Sequence, residues 1–179
     1  IENKIFIENK MFMEIRGTER MKNITKEEMN IKEFFEKYPN VAIALSGGVD
    51  SVFLVYMAKK YAKSVKAYFV KSVFQPEFEK KDAEKICRQL GVDLKILNVD
   101  VLSNKLVTDN PVNRCYYCKQ GVFGTILEAA KNDGMTVILD GTNASDDADD
   151  RPGMKALQEM KVLSPLRMCG YVKSEIRKQ

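Results

Sequence analysis

Four short apolar runs, "VAIAL" (41–45), "VKAYFV" (65–70), "LKILNV" (94–99) and "TVILD" (136–140), alternate with stretches of helical period, and that alternation leaves the chain few folds to choose from. Apolar positions recur at helical spacing from about Ser51 to Tyr61, from Pro76 to Gly91, and through "GVFGTILEAAKNDG" (121–134), which Gly134 closes. A run that is apolar throughout and bounded by polar turn residues suits a strand covered on both faces. Strands joined by helices of this length build βαβ units. The predicted class is therefore α/β, an open parallel sheet with helices on both faces, whose ligands bind beyond the carboxyl ends of the strands.

Two further helices are expected. "TKEEMNIKEFFEKY" opens with Thr25 three residues before Glu28, a capping-box pattern, and a short helix lies near Met154 to Met160. The end, "YVKSEIRKQ", reads as the first turns of another. A length of 179 residues suits one main domain. Residues 1–24 are set apart as an N-terminal extension with no assigned role, Met21 reading as a natural start, and 25–179 as the functional domain. No stretch is apolar enough for a signal peptide or a membrane span, so a cytoplasmic protein without membrane partners is expected. A net charge of +4 with no basic run gives no sign of nucleic acid binding.

The sequence contains no histidine, which excludes His-based triads and the common zinc enzyme sites. Chemistry must come from carboxylates, thiols, cations, backbone amides or a metal. The strongest candidate is "SGGVDS", Ser46, Gly47, Gly48, Val49, Asp50 and Ser51, where the first strand gives way to a helix. Free amides and the helix dipole favour an anion there, and glycines let the backbone approach it. It is neither a Walker A loop nor GxGxxG. The plainer reading is a glycine turn with Asp50 or Ser51 as a helix cap.

"NPVNRCYYCKQGVF" carries Cys115 and Cys118 in a CxxC flanked by Arg114 and Lys119. One CxxC is half a metal site or a redox pair; the flanking cations and a following helix would lower a thiol pKa. Two half-buried thiols at a helix start are the simpler alternative. Cys87 sits at helical spacing with Ala83, Ile86 and Leu90 and is expected in the core; Cys169 lies in a predicted loop. "LDGTNASDDADDRPGMKAL" follows the fourth strand with Asp140, Asp146, Asp147, Asp149, Asp150 and Arg151. It reads either as a solvated acidic loop or as a source of metal ligands and a cation for the same crevice.

"SGGVDS" after an apolar strand resembles the PP-loop of the N-type ATP pyrophosphatases, whose members cleave ATP between the α- and β-phosphates and transfer AMP. In order, "SGGVDS", "NRCYYCK", "DGTNASDDADDRPG", "SPL" (164–166) and "KSEIRK" resemble the nucleotide-binding domain of the LarE-type sacrificial sulfur transferases over about residues 25–179. The resemblance implies an adenine nucleotide alpha hydrolase-like fold, ATP and Mg²⁺ as cofactors, and adenylation of a pyridinium dicarboxylate mononucleotide followed by sulfur insertion, on the route to a nickel-pincer cofactor. It implies that Ser46, Gly47, Gly48, Val49, Asp50 and Ser51 bind phosphates and metal, that Asp140, Gly141, Thr142 and Asn143 line the nucleotide site, and that Arg151 faces substrate or phosphate. Asp146 and Asp147 join Asp50 as metal candidates. Members of the family use either a single sulfur-donating cysteine or three cysteines that bind an iron-sulfur cluster, in which the CxxC takes part, so the resemblance assigns Cys115 and Cys118 to sulfur chemistry or cluster binding. A homo-oligomer acting on small molecules is expected.

The chain departs from the pattern in two places. The later donor cysteine and carboxy-terminal domain are expected beyond residue 179, leaving Cys169 as the one substitute, and "DADDRPG" lacks the aromatic that often precedes the arginine. Two other readings stay open: another PP-loop enzyme, such as an NAD, GMP or asparagine synthetase or a tRNA thiolase, and a nucleotide-binding module without turnover.

Overall fold

A capping box starts the first helix of the computed structural model, which describes residues 29–73, 75–100, 112–146 and 151–178. Asn30 Oδ1 accepts from the Glu33 amide at 3.0 Å while Glu33 Oε2 accepts from the Asn30 amide at 3.1 Å. Helix α1 (Ile31–Lys37) follows, burying Ile31, Phe34 and Phe35. The box expected at Thr25 and Glu28 lies outside the described residues.

The remaining elements are β1 (Asn40–Ala44), α2 (Val49–Tyr61), β2 (Ser64–Lys71), α3 (Glu77–Leu90), β3 (Asp93–Asn98), α4 (Arg114–Asn132), β4 (Val137–Leu139), α5 (Arg151–Glu159), α6 (Pro165–Met168) and α7 (Lys173–Ile176). The four strands are parallel in the order β3-β2-β1-β4. Ile43 of β1 stands between Ala67 of β2 and Leu139 of β4. The chain builds outward from β1 through β2 to β3, then returns to the other side of β1. The order reverses between β1 and β4, and in such sheets the crevice at the reversal holds the ligand.

Successive strand residues point to opposite faces and feed two cores. Val41, Ile43, Ala67, Phe69 and Leu139 pack with α1, α2 and α3; Ala42, Tyr68, Val70 and Ile138 pack with α4 and α5. Cys87 lies buried in the first core, and that burial pushes its thiol up to about 11. Gly91, at φ 62°, closes α3 in the left-handed conformation.

The fourth helix corrects the expectation at one point. It begins at Arg114, ahead of the predicted residue 121, so the CxxC lies inside its first turns instead of preceding it. Two internal glycines weaken the local helical pattern, but packing against β1, β2 and α5 carries the helix through them. At its far end Asp133 accepts from Tyr68 Oη at 2.8 Å and pairs with Lys66 at 3.0 Å and Lys95 at 3.1 Å, fastening α4 to β2 and β3. Among the described residues no helix is long and apolar enough to cross a membrane.

Candidate functional site

At the end of β1 the Leu45 amide still donates to Tyr68 O at 2.9 Å, and the chain then turns through Gly47, whose φ of 82° disfavours any residue with a Cβ. Gly48 is the residue that starts α2 and has no side chain to cap it. The Ser51 hydroxyl instead accepts from the Ser46 amide at 3.2 Å and donates to Gly48 O at 2.9 Å, folding the loop onto itself. Neither Asp50 nor Ser51 caps the helix. The first-turn amides and the positive end of the dipole are thus left without a capping side chain, the arrangement that favours an anion.

The loop after β4 meets this turn. A Cβ on Gly141 would lie 2.8 Å from the Ser51 amide nitrogen and 2.9 Å from its Cα, so the two backbones touch only because residue 141 is glycine. Asn143, fully buried, donates from Nδ2 to Asp50 Oδ2 at 3.2 Å; its amide donates to Asp146 Oδ2 at 2.8 Å. Lys173 Nζ stands 3.6 Å from Asp50 Oδ2. Asp50 Oδ1 is buried and has no hydrogen-bond partner among the described residues. Asp140 is held by hydrogen bonds from Ser164 Oγ, at 2.5 Å, and from Thr142 Oγ1. Burial pushes its carboxyl above the ordinary range, against the lowering pull of Ser164, Thr142 and Lys119.

Between the two loops opens a cavity of about 320 Å³, walled by Ser46, Gly48, Asp50, Ser51, Asp140, Gly141, Thr142 and Asp146, with Lys119, Phe123 and Ile126 of α4 completing it. It lies at the carboxyl ends of β1 and β4, at the reversal of strand order, and its size suits a small-molecule site.

Some predicted residues stand apart. Cys115 is exposed and Cys118 half-buried on α4. Burial, with Cys115 adding to it, raises the Cys118 thiol above its ordinary value, and the opposing Arg114 and Lys119 do not reverse this; the expected lowering is corrected. Among the described residues no three of Cys, Asp and Glu gather as a metal site. Cys169 packs against the first core, on the side of α2. Asp147, Asp149, Asp150 and the Arg151 side chain lie outside the described residues; the backbone of Arg151 opens α5. Lys119, Ser164 and Lys173 are site residues to which sequence reasoning assigned no role. "SPL" and "KSEIRK" carried only a family signal, and Lys119 was read only as a neighbour of the thiols.

Comparisons with known proteins agree with this geometry. An uncharacterised protein of Synechocystis sp. is 33% identical over 150 residues, covering 83% of this chain and 56% of that protein. Pyridinium-3,5-bisthiocarboxylic acid mononucleotide synthase of Lactiplantibacillus plantarum is 30% identical over 139 residues, covering 76% and 50%. A tRNA-specific 2-thiouridylase of Fervidobacterium nodosum is 30% identical over 128 residues, covering 56% and 36%. The chain spans about half the length of the first three curated relatives it matches. The fold superposes on glutamine-dependent NAD⁺ synthetase from Acinetobacter baumannii with a TM-score of 0.64 at 19% identity, over 83% of this chain and 30% of that one. The signature of the PP-loop domain matches residues 18–150, the stretch that holds the glycine turn, β1 to β4 and the loop facing them, and the chain belongs to the PP-loop domain family.

Proposed function

We propose that this chain uses ATP with Mg²⁺ to adenylate a carboxylate, releasing pyrophosphate, as the activating half of a sulfur transfer. The observation that carries the reading is Asp50 Oδ1: a buried carboxylate oxygen without a partner among the described residues, on the first turn of an uncapped helix that lines a nucleotide-sized cavity. An orphaned carboxylate oxygen suits a hard cation, so Asp50, with Asp146 lining the same cavity, would hold Mg²⁺. Bound there, the ion supplies charge neutralisation to the departing pyrophosphate.

The remaining chemistry falls to the chain's own groups. Ser46, Gly47, Gly48, Val49 and Ser51 present amides and hydroxyls to the β- and γ-phosphates, while Asp140, Gly141, Thr142 and Asn143 line the nucleotide. An acceptor carboxylate is already anionic, so its oxygen attacks the α-phosphorus without a general base. The new O–P bond forms as the Pα–O–Pβ bond breaks, and preorganised amides stabilise the pyrophosphate. That a site without histidine can run this reaction follows directly.

The sulfur half rests on the synthase relative, whose name describes a bisthiocarboxylic product. Cys115, Cys118 and Arg151 are assigned to the acceptor and sulfur side, and a carboxylate-bearing nucleotide is the proposed acceptor, within a unit spanning 25–179. A tRNA acceptor is the second reading, favoured by the thiouridylase relative. Pyrophosphate release from ATP with Mg²⁺, measured with a pyridine carboxylate mononucleotide and separately with unmodified tRNA, decides between them. Release that depends on the carboxylate is expected; cleavage to ADP and phosphate, or no turnover with either, defeats the proposal.

A further inference from the structure

The loop after β2 carries a polar side chain that the phosphate chemistry does not use. Gln75 lines the cavity on the side of β2, with Tyr68, Phe69 and Val70. Its Oε1 accepts from the amide of buried Ser72 at 3.1 Å and from Ser72 Oγ, while its own backbone amide donates to Ser72 O at 3.2 Å. A backbone N–H can only donate, so the atom that faces it is the amide oxygen of Gln75, and Nε2 is turned the other way. Lys71 Nζ donates to Gln75 O and pairs with Glu77 at 3.4 Å, pinning the loop between β2 and α3. The side chain is therefore a preoriented donor whose accepting half is already engaged.

Polar and apolar parts of the cavity lie apart. The carboxylates and hydroxyls of the glycine turn and of the loop after β4 form one end, whereas Val70, Phe123 and Ile126, which pack in one core, form an apolar stretch between β2 and α4. The Tyr68 hydroxyl is committed to Asp133. Among the described lining residues this leaves the Gln75 amide as the hydrogen-bonding side chain on the β2 side. A purine needs apolar cover for its faces and a fixed polar partner at its edge. From this placement, and resting on the adenylation reading, we infer that Gln75 Nε2 donates to a ring nitrogen of the adenine and so reads the base. A donor locked in this way rewards an unprotonated ring nitrogen and is left unpaired by a C–H or an amine at the same point.

The test titrates ATP, its 1-, 3- and 7-deaza analogues and 2′-deoxy-ATP calorimetrically into wild type, Gln75→Glu and Gln75→Met. Glutamate keeps an oxygen for Ser72 and removes the donor; methionine removes both. One of the three deaza analogues should bind wild type roughly 3- to 10-fold more weakly than ATP, the worth of a neutral hydrogen bond, and should bind each variant as well as ATP does. The added charge of Gln75→Glu affects every probe alike and cancels in this comparison. Deaza analogues that lose the same factor on wild type and variants overturn the inference while the adenylation reading stands. So does coupling to 2′-deoxy-ATP instead, which places Gln75 at the ribose. Loss of all nucleotide binding in both variants also overturns it, assigning Gln75 to the shape of the loop. Wild type that binds neither ATP nor any analogue sinks both readings.

Discussion

Asn143 Nδ2 donates to Asp50 Oδ2 at 3.2 Å, tying the loop after β4 to the first turn of α2 and leaving Asp50 Oδ1 buried and unpartnered among the described residues. One carboxylate is thereby divided: one oxygen orients the side chain, and the other is the one to which the proposed function assigns a ligand. Burying a charged oxygen without a partner is costly, so its persistence points to a group that completes it.

Asp50→Asn separates these two roles. The amide keeps the shape and a contact to Asn143 but loses the charge that a hard cation requires. Mg²⁺ should then no longer strengthen ATP binding, with at least about a tenfold loss of affinity in its presence, equivalent to roughly 1.4 kcal/mol. Calorimetric titration of ATP with Mg²⁺ and with EDTA checks this; a variant that still responds to Mg²⁺ removes Asp50 as a metal ligand.

Gly141 and Gly121 form a matched pair. A methyl at 141 meets Ser51 backbone atoms at 2.8 and 2.9 Å, whereas one at 121 meets nothing within 4 Å inside α4. Gly141→Ala should destabilise by about 1–3 kcal/mol through overpacking and push Ser51 out of the glycine turn, lowering nucleotide affinity as well. Gly121→Ala should stabilise by about 0.5–1 kcal/mol through helix propensity. Urea unfolding of both variants tests the contrast, and equal effects would show that the close approach at 141 is absent in solution.

The parts of this protein that can be read from sequence are those with a local cause. "VAIAL" and "SGGVDS" declare a buried strand and a glycine turn within a dozen residues, and Gly91 and Gly134 mark helix ends through the conformation they allow. What stayed hidden depends on distant partners. The start of α4 at Arg114 is fixed by packing against the sheet and α5, against the local signal of Gly121. Ser164 and Lys173 reach Asp140 and Asp50 only after the chain has wrapped around β4, and no spacing rule connects them. Lys119 directly follows the CxxC in sequence, yet its place in the cavity wall follows from which face of the sheet α4 covers.

Three of the four cysteines should separate by reactivity. Cys115 is exposed, Cys118 half-buried with its thiol raised by burial, and Cys87 is 1% exposed with its thiol at about 11. Only the thiolate reacts with iodoacetamide, so at mildly alkaline pH Cys115 should be labelled first, Cys118 more slowly, and Cys87 only after unfolding. Peptide mass spectrometry on a time course reads the order directly. Labelling of Cys87 in the native protein would contradict its place in the core.

Asp133 supplies the clearest pH signature. Hydrogen bonds from Lys66, Tyr68 and Lys95 hold its carboxyl at about 2, below the ordinary 3.8. The depressed value means that the folded state prefers the ionised form, so the stabilisation is fully present above about pH 4 and is lost as pH falls toward 2. Tyr68 runs the other way. Burial, together with the bond to Asp133, raises its phenol and keeps it a donor through the range in which Asp133 is ionised. Asp133→Asn should therefore be less stable than wild type at neutral pH, and the gap should close as acid protonates the wild-type carboxylate. Urea midpoints for both proteins from about pH 7 down to about pH 2 measure that gap. A gap that stays constant across the acid limb would assign the variant's loss of stability to packing, and would remove the ionised carboxylate as the tie between α4 and the sheet.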